Sequence, residues 1–170
     1  MRSCEPSGEV YGTEGLRFES CRARFPTTWL LGDTGRAMSQ ENVEIVRRGL
    51  EAFKRGDLDV MVAEFTPDCE YISTGAIPGA AGVSRGPDGY KRFVSWLRDE
   101  FDDARTEIHE LIDAGDQVLV SLTTRGRGKQ SGAETSWHFW QVWTLQDSKV
   151  VRGQGFTSRE EALSAVGLRE

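Results

Sequence analysis

The chain has 170 residues, 28% of them charged, and a formal net charge of −6. That length suits one domain with a single core, and the acidic balance argues against nucleic acid as a partner, because phosphate contacts need clustered Lys and Arg. No apolar run approaches the ~20 residues needed to cross a bilayer. Three cysteines (Cys4, Cys21, Cys69) have no metal-binding spacing, and their odd number argues against a disulfide framework. Two histidines, His109 and His138, are too few for a His-rich metal site. The expectation is a cytoplasmic protein with no metal, no cofactor and no membrane attachment.

Residues 1–37 carry scattered glycines (Gly8, Gly12, Gly15, Gly32, Gly35) and sustain no helical or strand period. They are expected to be poorly ordered. Their one apolar cluster, Thr27 to Leu31, is too short for a signal-peptide core. Met38, followed by Ser39 as an N-cap, reads as a natural start, so the domain is expected over 38–170. Two readings of the extension stay open: an upstream start site with no function, or a short arm packing through Trp29 and Leu30.

Glu41 to Arg55 has the three- and four-residue spacing of an amphipathic helix, with Val43, Val46, Leu50 and Phe53 on one face. Ser39 can cap it and Gly56 can end it. Asp57 then caps a short helix from Leu58 to Phe65, which Thr66-Pro67 stops. Asp68 to Thr74 reads as a strand. Gly75 to Gly86, with four glycines and Pro78, reads as a mobile loop long enough to form a flap over a cavity. It has no phosphate-cradling pattern. Pro87 starts a helix that runs to about Phe101.

From Ala104 the chain reads as β: a strand to Asp113, a turn at Ala114-Gly115-Asp116, a strand from Gln117 to Arg125, and a turn from Gly126 to Gly132. Ser136 to Phe156 is an antiparallel hairpin about the turn Gln146-Asp147-Ser148. Alternation places Ser136, His138, Trp140, Val142 and Thr144 on one face and Trp137, Phe139, Gln141 and Trp143 on the other. Neither face is cleanly polar, so both are expected to be covered. Ser158 and Glu161 form a capping box for a last short helix, which Gly167 stops. Helices first and strands afterwards indicate an α+β fold with segregated layers.

This order resembles the nuclear transport factor 2-like superfamily, and within it the SnoaL-like group. The resemblance rests on Val43–Tyr71 (VEIVRRGLEAFKRGDLDVMVAEFTPDCEY), Arg85–Val94 (RGPDGYKRFV), Ile112–Val120 (IDAGDQVLV) and Gln141–Leu163 (QVWTLQDSKVVRGQGFTSREEAL). It covers Met38 to Glu170 and implies a cone: helices packed on a strongly curved mixed or antiparallel sheet that encloses an apolar pocket. It also implies a homodimer through the outer sheet face, expected to be Trp137, Phe139, Gln141 and Trp143.

The resemblance says little about activity, because such a fold hosts many chemistries. Where ketosteroid isomerases of this fold keep a Tyr and two Asp, this chain has Gly49, Ser73 and Trp140. Where limonene-epoxide hydrolases keep an Arg and two Asp, it has Leu122, Thr124 and Gln154. The Asp base of SnoaL-type cyclases also falls at Gln154. What remains facing the expected pocket is Tyr71, Ser73, Thr124, His138, Trp140 and Gln154, with Arg152 beside them. His138 is the one candidate general base, since its unperturbed pKa lies near neutrality. The reading the sequence favours for it is a core histidine bonded to a neighbour. Arg85 beside the flap could meet an anion. Cys69 has no neighbour that would favour its thiolate.

Three functions stay open. One is a cofactor-independent cyclase, isomerase, dehydratase or hydrolase acting on a hydrophobic cyclic substrate, with His138 as acid or base. Another is a non-catalytic module that binds a small apolar molecule. The third is a dimeric scaffold with a vestigial pocket.

Overall fold

The computed structural model describes residues 28–77 and 79–169, with side chains from Met38 onward. The compact unit described below is Gly35–Glu170. The expectation for 1–37 falls largely outside the described residues; residues 28–37 are helical backbone.

The first helix, α1, is Thr28–Arg55. It begins ahead of the expected cap, so Ser39 lies inside the helix and does not start it. The apolar period from Val43 marks only where the helix begins to bury a face: Ile45, Val46, Leu50 and Ala52 enter the core. Asn42 adds a tie, donating from Nδ2 to the Gly115 carbonyl at 3.1 Å. Gly56 ends the helix at φ +84°, the left-handed conformation that a C′ position requires.

Asp57 caps α2 (Leu58–Met61), accepting from the Val60 N–H at 3.2 Å. This helix is shorter than expected, because Phe65 already opens strand β1 (Phe65–Ser73). The expected flap is a hairpin. Gly82–Arg85 forms strand β2, antiparallel to β1, with Glu70 opposite Arg85 and Ser73 opposite Gly82. Ile77 and Ala80, in the connection, are buried in the core. So short a strand bordered by glycines carries no periodic signal of its own.

Helix α3 (Gly86–Glu100) follows with Pro87 in its first turn and buries Tyr90 and Val94. Then come β3 (Phe101–Ala114), β4 (Gln117–Gly128), β5 (Glu134–Gln146), β6 (Lys149–Phe156) and helix α4 (Arg159–Ala165). Asp147 and Ser148 both have positive φ, as a two-residue hairpin turn between β5 and β6 requires. Ser158 caps α4, accepting from the Glu161 N–H at 3.2 Å.

The six strands form one curved sheet in the order β2-β1-β6-β5-β4-β3. Only β1 and β6 pair in parallel, so the sheet is mixed and the α+β expectation holds. The inner face, with α1, α2 and α3, makes the main core. On the opposite face Ala162 and Val166, from α4 and the turn after it, pack with Leu119 and Val142.

The facing of β5 is the reverse of the expectation. Phe139 and Trp143 are buried in the main core and Trp137 packs against it, so they do not form an outer face for a partner. The register explains the inversion. Trp143 lies opposite Gly153 and Gln141 opposite Gly155, so two inward positions of β6 have no side chains and leave room for large ones on β5.

Candidate functional site

A cavity of about 520 Å³ lies between the inner sheet face and α1 and α3. That volume is within the range of small-molecule sites. Its deep wall includes buried residues from several elements, among them Leu50 of α1, Tyr71 of β1, Tyr90 and Val94 of α3, Leu122 of β4, and Phe139 and Gln141 of β5. Tyr71 is the hub of an aromatic cluster, with ring centroids 4.9 Å from Tyr90, 5.2 Å from Phe93 and 5.6 Å from Trp143. Such tilted and offset pairs hold a wall rigid. Phe101 and Trp137, half-buried at the other end, meet edge to face at 4.7 Å.

Two polar points interrupt this apolar lining. Gln141 Nε2 donates to the Tyr71 hydroxyl at 2.9 Å. No other hydrogen-bond partner of the Tyr71 hydroxyl is found among the described residues, so its proton can be donated to a ligand oxygen. Burial pushes the Tyr71 phenol up to about 12, against the opposing effect of the Gln141 bond, and raises Tyr90 in the same direction. Both remain neutral donors near pH 7. The second point is a hydrogen bond of 2.9 Å between the hydroxyls of Thr106 and Thr124.

The solvent-exposed members of the lining are Lys54, Arg98, Ala104, Arg105 and Glu107. They mark the mouth. Glu107 is the one carboxylate among the described lining residues, and none of these is a histidine.

Of the candidates named from the sequence, Tyr71 and Thr124 line the cavity. Ser73, His138, Trp140 and Gln154 do not. His138 pairs across strands with Thr123, and Trp140 with Ser121, on the outer face. The His138 Nε2 shares a hydrogen bond of 3.0 Å with Ser121 Oγ, and its ring stacks on Trp140 at 4.4 Å. Gln154 lies opposite Val142 on the same outer face and accepts from Arg152 at 3.1 Å. The facing of β5 carries His138 and Trp140 out of the cavity, and Gln154, paired with outward Val142, follows on β6, since alternate residues point to opposite faces. Arg85 pairs with Glu70 at 2.9 Å. Burial raises the Cys69 thiol to about 11, so it is not a ready nucleophile.

The residues missed from the sequence are Tyr90, Phe93, Phe101, Trp137, Phe139 and Gln141. A usable signal was present. Gly153 and Gly155 are two apart, share one face of β6, and mark the side on which neighbouring strands can place large groups.

Among the described residues no three His, Cys, Asp or Glu side chains come together as a metal site, and no helix is long and apolar enough to cross a membrane.

A family model for the SnoaL-like domain matches residues 46–153. No curated protein matches the chain. Among solved structures, an NTF2-like protein from Burkholderia thailandensis E264 is similar at 25% identity and a TM-score of 0.64, over 75% of this chain and 98% of that one. An NTF2-like protein from Burkholderia xenovorans LB400 is 28% identical, with a TM-score of 0.58, over 75% and 95%. TerC, co-crystallised with polyporic acid, shares the fold at 22% identity and a TM-score of 0.61, over 75% and 98%.

Proposed function

The chain belongs to the SnoaL-like domain family, and from that premise we propose that its cavity is a binding site for a hydrophobic, ring-bearing small molecule. The observation that carries this reading is the aromatic wall with a few inner polar groups, Tyr71 among them. Tyr71, held by Gln141, offers its proton at the deep end of the cavity, among Leu50, Val94 and Phe139. An apolar cavity with a few convergent polar groups is the usual form of a small-molecule site. A carbonyl or ring oxygen of the ligand would accept from Tyr71, and its rings would lie against Phe93 and Trp137.

Binding without chemistry is favoured over acid–base catalysis by His138, because that imidazole is bonded and stacked on the other side of the sheet. If the family's cyclase- or isomerase-type chemistry is run here, Tyr71 is the group able to stabilise a developing oxyanion by hydrogen bonding.

The test is the melting temperature of the full chain against lactones, polycyclic ketones and aromatic polyketides, with product analysis of every stabilising compound. A ligand that binds only the native state stabilises it by about 2.7 kcal/mol at a hundred times its Kd. Stabilisation that survives His138→Ala and falls in Tyr71→Phe supports the reading. Turnover abolished by His138→Ala overturns it.

Pairing of two copies stands as a proposal on different residues. Trp137, Phe139, Gln141 and Trp143 are occupied with the inner face, so a homodimer would use the face that carries His138 and Trp140. Sedimentation of the wild type and of Trp140→Glu tests it: a dimer unchanged by that charge sinks the assignment.

A further inference from the structure

The mouth of the cavity is cationic although the chain is acidic. Its exposed lining includes Lys54, Arg98 and Arg105 against the single carboxylate Glu107. Two of these four charges are already engaged: Lys54 lies 3.8 Å from Glu51, and Glu107 accepts from Arg125 at 3.4 Å. Neither Arg98 nor Arg105 has a carboxylate within ion-pair distance among the described residues. This holds although Asp99, Glu100, Asp102 and Asp103 are their neighbours in sequence. Those four acids do not line the cavity, and Asp102 faces Lys129 at 3.9 Å.

The local backbone explains the arrangement. Arg98 is in the last turn of α3. The register of β3 against β4 then shifts between Asp102 and Arg105, and Asp103 takes φ +52°. This bulge breaks the alternation of the strand just ahead of Arg105. The result is two arginines in the exposed lining of an apolar cleft, the Arg98 guanidinium lying against Gly56 at the end of α1, where low-dielectric walls focus their field.

We propose that the ligand of this cavity is an aromatic or polycyclic carboxylate, held with its rings on the inner wall and its acid at Arg98 and Arg105. This rests on the small-molecule reading above and adds the charge and orientation of the molecule. A guanidinium matches a planar carboxylate with two parallel N–H donors, which a neutral ester or alcohol cannot use.

The probes are 1-pyrenebutyric acid and 1-pyrenebutanol, titrated by fluorescence into the full chain at pH 7.5 and at two salt concentrations. The acid is expected to bind about tenfold more tightly than the alcohol, equivalent to ~1.4 kcal/mol. Its advantage should shrink at high salt, because exposed charges are screened. Arg98→Gln with Arg105→Gln should bring the two affinities together by weakening the acid and leaving the alcohol unchanged. Equal affinities in the wild type, or an acid advantage untouched by salt, overturn the proposal and leave the apolar site standing. Binding of neither probe overturns the site itself. Should the double variant unfold, the wild-type salt dependence and the single variants still decide.

Discussion

Gln141 on β5 donates to the hydroxyl of Tyr71 on β1 at 2.9 Å, although strand β6 lies between their strands. The contact exists because β6 presents Gly153 and Gly155 at this level, opposite Tyr71, Trp143 and Gln141. A Cβ on Gly153 would run into the rings of Trp143 and Tyr71, whereas one on Gly155 would meet the Tyr71 hydroxyl only at ordinary contact distance, 3.6 Å. The deep wall of the cavity therefore depends on the side chain that Gly153 lacks as well as on the aromatic groups present.

Gly153→Ala is expected to be destabilising. An added Cβ would fall 2.5 Å from the Trp143 ring and 2.8 Å from the Tyr71 ring. Overpacking of a filled core costs about 1–3 kcal/mol. A lowered denaturation midpoint with an unchanged m-value would register it; an unaltered midpoint would mean that the aromatic cluster can shift aside at no cost.

Gln141→Leu removes the partner of a buried phenol, for a loss of about 1–3 kcal/mol. Tyr71→Phe leaves the Gln141 amide unpaired instead. Combining the two should recover part of the loss, with a coupling energy of roughly 0.5–1.5 kcal/mol. Strictly additive effects in the double-mutant cycle would show that the hydrogen bond contributes nothing.

Stability is expected to fall at alkaline pH. Tyr71 titrates near 10 when unfolded and at about 12 when folded, because burial disfavours the phenolate. Between these values the unfolded state binds fewer protons than the native state, so unfolding becomes easier as pH rises. The stability is intact below pH 10 and is lost progressively from about 10 to 12, by roughly 2–3 kcal/mol from Tyr71. Tyr90 acts in the same direction. In Tyr71→Phe the slope over this window should be reduced, which denaturant titrations at pH 9, 10 and 11 would measure.

His138→Ala should leave ligand affinity unchanged, since the side chain is outside the cavity. Trp137→Ala, which removes a ring from the lining, should weaken affinity by roughly threefold to tenfold. The reverse order of effects in a binding titration would contradict the facing of β5.

Ser158→Ala should cost about 1 kcal/mol, the usual loss when an N-cap side chain is removed. The helix it caps brings Ala162 onto Leu119 and Val142. The outer end of β5 should therefore gain amide exchange along with α4; exchange confined to α4 would mean that the sheet holds that face unaided.

Much of this molecule was legible in the sequence because local rules fixed it. The period of Val46, Leu50 and Phe53 dictates a helix, Gly56 and Asp57 end one helix and open the next, and the turn at Asp147-Ser148 pairs β5 with β6. Helices ahead of strands give α+β, and the motifs from Val43 to Leu163 carry the family. Which side of β5 faces the core was a tertiary decision. Both of its faces carry large apolar groups, Trp137, Phe139 and Trp143 on one and Trp140 and Val142 on the other, so a two-residue period has no preferred sign. Space decided it: the glycines of β6 and the ring of Tyr71 leave room on one face only, and α4 covers part of the other. With that choice His138, Trp140 and Gln154 went outward, and Gln141, Phe139 and Trp137 became the wall of the site.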